Sequence, residues 1–254
     1  MDLILATLFN NGGIVRQSGK EINMHRYCIW LLLTASILVC NYGCSAPQAK
    51  LEGTEWSDIW IANANDNNKP RILLAGDSIV TGYYYATANH LSGKANCAKY
   101  ATSKFLANRD YLAELALILK RYSFDVIHIN NGLHGWGYTE KEYKQGLQDL
   151  LKTLERHARQ AKVIWCMTTP MRKAGNLSQL KKGINDRVIE RNRIATEIMD
   201  RNKIPINDLY EAVKDHPEYF ANDGAHYNDT GKAIQAKMVA EIIEKNLPNK
   251  PTAD

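Results

Sequence analysis

The chain has 254 residues, 45% of them hydrophobic, and 32 basic against 27 acidic side chains give a formal charge of +5. That is apolar material enough for one good-sized core. The basic residues are scattered, with no Lys/Arg stripe interleaved with aromatics, which argues against a nucleic-acid partner.

Residues 1–23 fit no targeting pattern and read as an upstream extension left by a misassigned start codon. From Met24, "MHRYCIWLLLTASILVCNYGCSAP" has His25 and Arg26 as a short basic region, then an apolar run from Cys28 to Cys40. The run is short for a bilayer span and ends in small residues, as a secretory signal does. The stretch 24–46 reads less well as an uncleaved membrane anchor than as a signal: it resembles a bacterial lipoprotein signal with Cys44 as the lipidated residue, or else a plain signal cleaved after Ala46. Either implies an exported protein, periplasmic or at the cell surface, and the first adds membrane attachment through Cys44. Two of the five cysteines, Cys97 and Cys166, lie beyond the signal in strand-like stretches. They read as buried thiols, with a single disulfide as the alternative.

Residues 47–70 are polar, finish in "NANDNNKP" and read as a linker, so the folded domain is expected over 71–254. "RILLAG" (71–76) is a short apolar run ended by glycine, and a helical stretch follows to about His90. "NCAKY" (96–100) is a weaker strand, and residues 109–122 carry apolar side chains at helical spacing. "DVIHIN" (125–130) is the next strand. Residues 139–160 form an amphipathic helix with Thr139 and Glu142 as a capping box. "KVIWCMTT" (162–169) is a strand closed by Pro170. A helix over 185–202, a short strand over 204–210 and a last helix over 228–246 complete the chain. Strands alternating with helices predict an α/β fold with a parallel sheet covered on both faces. Ligands of such sheets sit beyond the carboxyl ends of the strands.

Chemistry is therefore sought just after each strand. "GDSI" follows the first and puts Ser78 at the start of a helix, with its hydroxyl and backbone N–H toward the site. Gly-Asp-Ser is also ordinary turn and cap chemistry. Near the other end, "FANDGAHYNDTGKA" carries Asp223 and His226 three residues apart. At that spacing a carboxylate can fix the imidazole tautomer and leave Nε2 free to accept a proton from a serine. The helix cap there is expected from Asp229.

"LLAGDSIVTG" and "DGAHYNDTGKAIQA" together resemble the first and last blocks of the SGNH, or GDSL-type, esterases and lipases, over roughly residues 70–245. The resemblance implies a three-layer α/β/α, flavodoxin-like parallel sheet and ester hydrolysis through an acyl-serine, with no metal or organic cofactor. It makes Ser78 the nucleophile, His226 the base and then acid, and Asp223 its orienter. The family's oxyanion donors are the nucleophile's own N–H, a glycine after the second strand and an asparagine after the third. No glycine follows "NCAKY", and Ser103 or Thr102 stands about where that N–H is needed. After the third strand, "NNGLHGW" aligns His134 with the asparagine, where a neutral imidazole could donate as an amide does. Asn130 or Asn131 swinging into the hole is the alternative. Trp136 and Tyr138 are candidates to stack on a sugar ring or, equally, to pack the loop itself. Arg172, after the fourth strand, is a candidate contact for a polar substrate, with a solvated surface arginine as the alternative. Tyr83, Tyr84 and Tyr85 line the pocket or fill the core.

The reading that follows is an exported serine esterase that deacetylates a carbohydrate, with a small-molecule or glycan ester as substrate. A lipase or lysophospholipase, and a non-catalytic carbohydrate-binding lipoprotein on the same fold, are the alternatives.

Overall fold

A computed structural model describes residues 50–248. The signal-like stretch and Cys44 lie outside the described residues. The architecture begins earlier than the sequence suggests. Ser57–Ile61 (β1) pairs antiparallel with Asn96–Thr102 (β3), so Asp58 faces Ala101 and Trp60 faces Lys99. The stretch expected as a linker thus supplies an edge strand, and Lys50 N–H already donates to the Tyr138 hydroxyl at 2.9 Å. A backbone rich in Ile and Trp gains more from ladder bonds and partial burial than from remaining solvated.

Arg71–Gly76 (β2), Val126–Ile129 (β4), Lys162–Cys166 (β5) and Ile206–Asn207 (β8) join β3 in a six-stranded sheet of order β1-β3-β2-β4-β5-β8. All pairs except β1–β3 are parallel. Arg172–Lys173 (β6) and Asn176–Leu180 (β7) make a separate antiparallel hairpin. The helices are Ser78–His90 (α1), Arg109–Arg121 (α2), Glu140–Ala158 (α3), Ile184–Arg201 (α4), Leu209–Val213 (α5) and Asp229–Glu244 (α6), with a 3₁₀ turn at Pro217–Tyr219. Residues 204–210, expected as one strand, divide into β8 and the start of α5 because Asp208 caps the backbone there, accepting from the N–H of Glu211.

Side-chain alternation along β2 builds both cores. Leu73 and Ala75 pack with Tyr111, Leu115, Tyr143, Leu150 and Ala195 of α2, α3 and α4. Ile72 and Leu74 pack with Val80, Tyr83, Val239 and Leu209 of α1, α6 and α5. The result is the expected three-layer α/β/α sandwich. Local chemistry sets the helix starts: the Thr139/Glu142 capping box forms, and Asn228, not Asp229, caps α6 by accepting from Gly231 N–H at 3.1 Å. Cys97 and Cys166 are free and buried; burial alone pushes the Cys97 thiol up to about 12. Among the described residues no helix is long and apolar enough to cross a membrane.

Candidate active site

β2 is buried along its whole length and ends at Gly76. Asp77 turns the chain into α1 by accepting Ile79 N–H at 2.9 Å. Ser78 then stands at the first turn of α1, half-buried, beyond the carboxyl end of a central strand. His226 comes from the far end of the chain and meets it: Ser78 Oγ to His226 Nε2 is 2.8 Å, and His226 Nδ1 to Asp223 Oδ2 is 2.8 Å. Oδ1 of Asp223 also accepts the N–H of Ala225 at 2.8 Å and of His226 at 2.9 Å. Partial burial raises the Asp223 carboxyl, but these N–H donors and the His226 ring outweigh it and hold it below the ordinary value. An ionised Asp223 keeps the proton on Nδ1, so Nε2 accepts from the serine hydroxyl. Such a relay can withdraw a proton from Ser78 as it attacks a carbonyl carbon.

The loop carrying Asp223 and His226 is braced by the β6–β7 hairpin. Arg172 N–H donates to Gly224 O at 2.7 Å, and Gly175 N–H to Asn222 O at 3.1 Å. Gly224 is required for this approach: its φ is +75°, and a Cβ would stand 2.3 Å from the Arg172 carbonyl oxygen. The Arg172 side chain does not reach the site. It is 3% exposed, donates to the carbonyls of Leu177 and Lys214 and lies over the Phe220 ring. The expectation that it touches substrate is corrected: its charge is spent on backbone carbonyls inside the brace.

Ser103 is corrected too. Its backbone N–H donates to Trp56 O at 3.2 Å, and its Oγ accepts Trp56 N–H at 3.0 Å. Both groups extend the β1–β3 ladder by one residue, so neither is available to an oxyanion. Reading residues 47–70 as a linker hid the strand that claims this serine.

The loop after β4 is where the site is most constrained. Asn130 Nδ2 donates to Cys166 O at 2.6 Å, and Asn131 Nδ2 to Lys104 O at 2.9 Å while its Oδ1 accepts Leu106 N–H at 3.2 Å. Both asparagines fasten neighbouring loops, so the alternative of either swinging into the hole is not what the structure holds. His134 is the remaining polar side chain of the stretch, 24% exposed. It is close enough to Asp77 that a charged His134 ring favours that carboxylate more than His226 does. Burial is the larger influence on Asp77 and raises it.

The loop's backbone is clamped by groups the sequence did not single out. Arg191 of α4, with no exposed surface, donates from Nη1 to Gly132 O at 2.6 Å and His134 O at 2.7 Å, and from Nη2 to Gly135 O at 3.2 Å. Arg187 donates to the carbonyls of Trp136 and Tyr138 and pairs with Glu140 at 2.7 Å. From the other side Glu52 accepts Gly135 N–H at 2.6 Å. The Trp136 ring packs against the guanidinium groups of Arg191 at 4.5 Å and Arg187 at 5.4 Å, which gives it an internal partner in place of a sugar. Tyr83 and Tyr84 fill the core, and Tyr85 is exposed. Helical spacing within α4 could have flagged Arg187 and Arg191, four apart on one face. Nothing in the sequence points Glu52 at this loop. Among the described residues no cluster of three or more His, Cys, Asp or Glu could hold a metal.

No protein-family model and no curated protein matches the chain. Solved structures do match in fold. A GDSL-like lipase from Bacteroides thetaiotaomicron superposes with TM-score 0.56 at 18% identity, covering 70% of this chain and 89% of that one. A lipase/acylhydrolase from Enterococcus faecalis gives 0.55 at 21%, with 71% and 98% covered. The aryl esterase of M. smegmatis gives 0.58 at 15%, with 70% and 100% covered. The fold is that of the SGNH hydrolases.

Proposed function

We propose that this protein is a serine esterase of the SGNH, or GDSL, type. The observation that carries it is the hydrogen-bonded relay Ser78–His226–Asp223, with both links at 2.8 Å, at the strand end where such folds bind ligands. Ser78 Oγ attacks the ester carbonyl while His226 Nε2 takes its proton. The ester C–O bond then breaks, and His226 returns that proton to the departing alcohol. Water, deprotonated by the same imidazole, hydrolyses the acyl-serine. The Ser78 N–H, at the positive end of α1, and the His134 ring are the proposed oxyanion donors. The names of the lipase, acylhydrolase and aryl esterase that share the fold agree with ester hydrolysis.

The substrate proposed is a short acyl ester, in the first place an acetyl group on a carbohydrate. The side chains of Asp223 and His226 are 52% and 48% exposed, so the relay lies open at the surface and suits an acyl group projecting from a bulky polar alcohol. The signal-like residues 24–46 support a place of work outside the cytoplasm. A fluorophosphonate probe tests the chemistry: wild type is labelled and hydrolyses p-nitrophenyl acetate, while Ser78→Ala does neither. An unlabelled, inactive wild type would sink the esterase reading.

A further inference from the structure

Asp223 and His226 sit on one tight turn, and both side chains are about half exposed. Among the described residues the His226 ring hydrogen-bonds only Ser78 and Asp223. The place of the imidazole is therefore inherited from the backbone of the turn. That turn is closed at its feet. Phe220 and Tyr227 form an antiparallel bridge with their rings 4.4 Å apart, and Ala221 N–H donates to His226 O at 2.8 Å. Arg172 touches it twice. Its guanidinium lies 4.9 Å from the centre of the Phe220 ring, and its backbone N–H holds Gly224 O at 2.7 Å, between Asp223 and His226 in sequence. The guanidinium is itself fixed. Nη1 donates to Leu177 O at 2.7 Å and Nη2 to Lys214 O, so β7, the residue after α5 and the foot of the turn meet on one buried cation.

We infer that Arg172 is the positioning residue of the relay: a buried cation, out of reach of substrate, that sets where His226 stands relative to Ser78. The inference rests on the esterase reading of Ser78. A guanidinium suits the place because it is planar. It offers separate N–H groups to two carbonyls and a flat face to an aromatic ring. A lysine keeps the charge but has neither the fork nor the face. Loss of the group leaves two buried carbonyls without their donor and frees the Phe220–Tyr227 pair to shift. The turn carries that shift to His226, and the 2.8 Å contact between Nε2 and Ser78 Oγ lengthens. Proton transfer needs that contact, whereas Arg172 itself touches no substrate. The expected signature is a fall in kcat with KM held.

The test compares wild type with Arg172→Met, Arg172→Lys and Phe220→Leu on p-nitrophenyl acetate, each rate normalised to folded protein. Arg172→Met is expected to lose about 10²-fold in kcat with KM within about twofold, and Arg172→Lys to recover part of that, to a loss of about tenfold. Phe220→Leu keeps an apolar side chain at the foot of the turn, removes the ring face and is expected to lose about tenfold. A folded Arg172→Met with wild-type kcat, or with a raised KM alone, overturns the inference. Should Arg172→Met not fold, Phe220→Leu decides, and wild-type kcat in that variant overturns it. Ring ¹⁵N NMR of His226 reads the contact without turnover. Ser78→Ala should move the Nε2 resonance in the wild-type background and hardly at all in Arg172→Met, where the contact is already lost. That result supports the positioning role even if wild type cleaves no ester, in which case the esterase reading alone fails. A Ser78→Ala shift of equal size in both backgrounds overturns the positioning role.

Discussion

Replacing Arg191 separates what holds the protein together from what holds the site in shape. The guanidinium supplies three hydrogen bonds to the loop carbonyls of Gly132, His134 and Gly135. It lies 4.6 Å from the centre of the Phe105 ring and 4.5 Å from that of Trp136. Burial lowers its pKa to about 10, so it is still charged at neutral pH. Arg191→Ala removes the cation and leaves carbonyls unsatisfied at about 1–3 kcal/mol each, plus a cavity between aromatic rings. Glu140 keeps Arg187, so no carboxylate is orphaned. Water entering the cavity satisfies part of the carbonyls, so the expected loss is at the low end of that sum, about 3–5 kcal/mol, seen in urea denaturation as a lower midpoint and in heating as roughly 6–20 °C. Arg191→Met fills more of the volume and should recover part of that stability, because apolar substitutes for a buried ion can nearly match it. It recovers none of the carbonyl bonds, so the backbone under His134 stays free to move. Displacement by about 1 Å costs on the order of 10²-fold in kcat. The decisive result is therefore Arg191→Met, with a folded protein and a kcat down about 10²-fold on p-nitrophenyl acetate. Wild-type turnover in that variant would refute the clamp.

Further outcomes test other parts of the structure. Ser103→Ala should cost about 1–2 kcal/mol, because Trp56 N–H loses its acceptor, yet leave kcat within a few-fold; a large drop in kcat with an unchanged urea midpoint would return Ser103 to the oxyanion hole. His128 is buried, accepts from Asn207 Nδ2 on Nε2, and burial holds its pKa down to about 3 against an ordinary 6.5. The unfolded ring takes up a proton near pH 6.5 that the folded one refuses, so stability falls with pH below that point by about 1.4 kcal/mol per unit. Between pH 6.5 and 5 few carboxylates titrate, and urea midpoints should fall there in wild type but not in His128→Asn; parallel curves would contradict the assignment. If Cys44 carries lipid, the mature protein partitions into detergent and Cys44→Ser moves to the aqueous phase. Equal partitioning into the aqueous phase would leave the plain signal peptide, and equal partitioning into detergent an uncleaved anchor.

What was legible in the sequence was the part fixed by short-range pattern. Strand and helix order follows from apolar runs alternating with amphipathic ones, and Ser78, Asp223 and His226 lie in blocks whose spacing carries their geometry. The rest depended on contacts distant in sequence. β1 was hidden because "SDIWI" is followed by the polar stretch Asn63–Lys69, and local composition outweighed its β-rich centre. That one omission produced the Ser103 error, since the partner of the Ser103 N–H lies 47 residues upstream. Arg172 was misassigned for a related reason. A surface arginine and one that satisfies buried carbonyls look identical until the carbonyls of Leu177 and Lys214 are in place.

The histidine loop shows why some constraints leave no local trace. Gly135 has φ +69°, and a Cβ there would stand 2.1 Å from the Phe105 ring, so glycine is dictated by a neighbour 30 residues back. Arg191 lies 57 residues beyond His134 and Glu52 lies 82 before it. Each of these groups grips the backbone and neither hydrogen-bonds the imidazole. A loop held by its carbonyls from one side and one N–H from the other can present a single side chain without flexing. Rigidity of that kind is what the proposed oxyanion donor would need, because a donor already in place requires no rearrangement as the oxyanion forms.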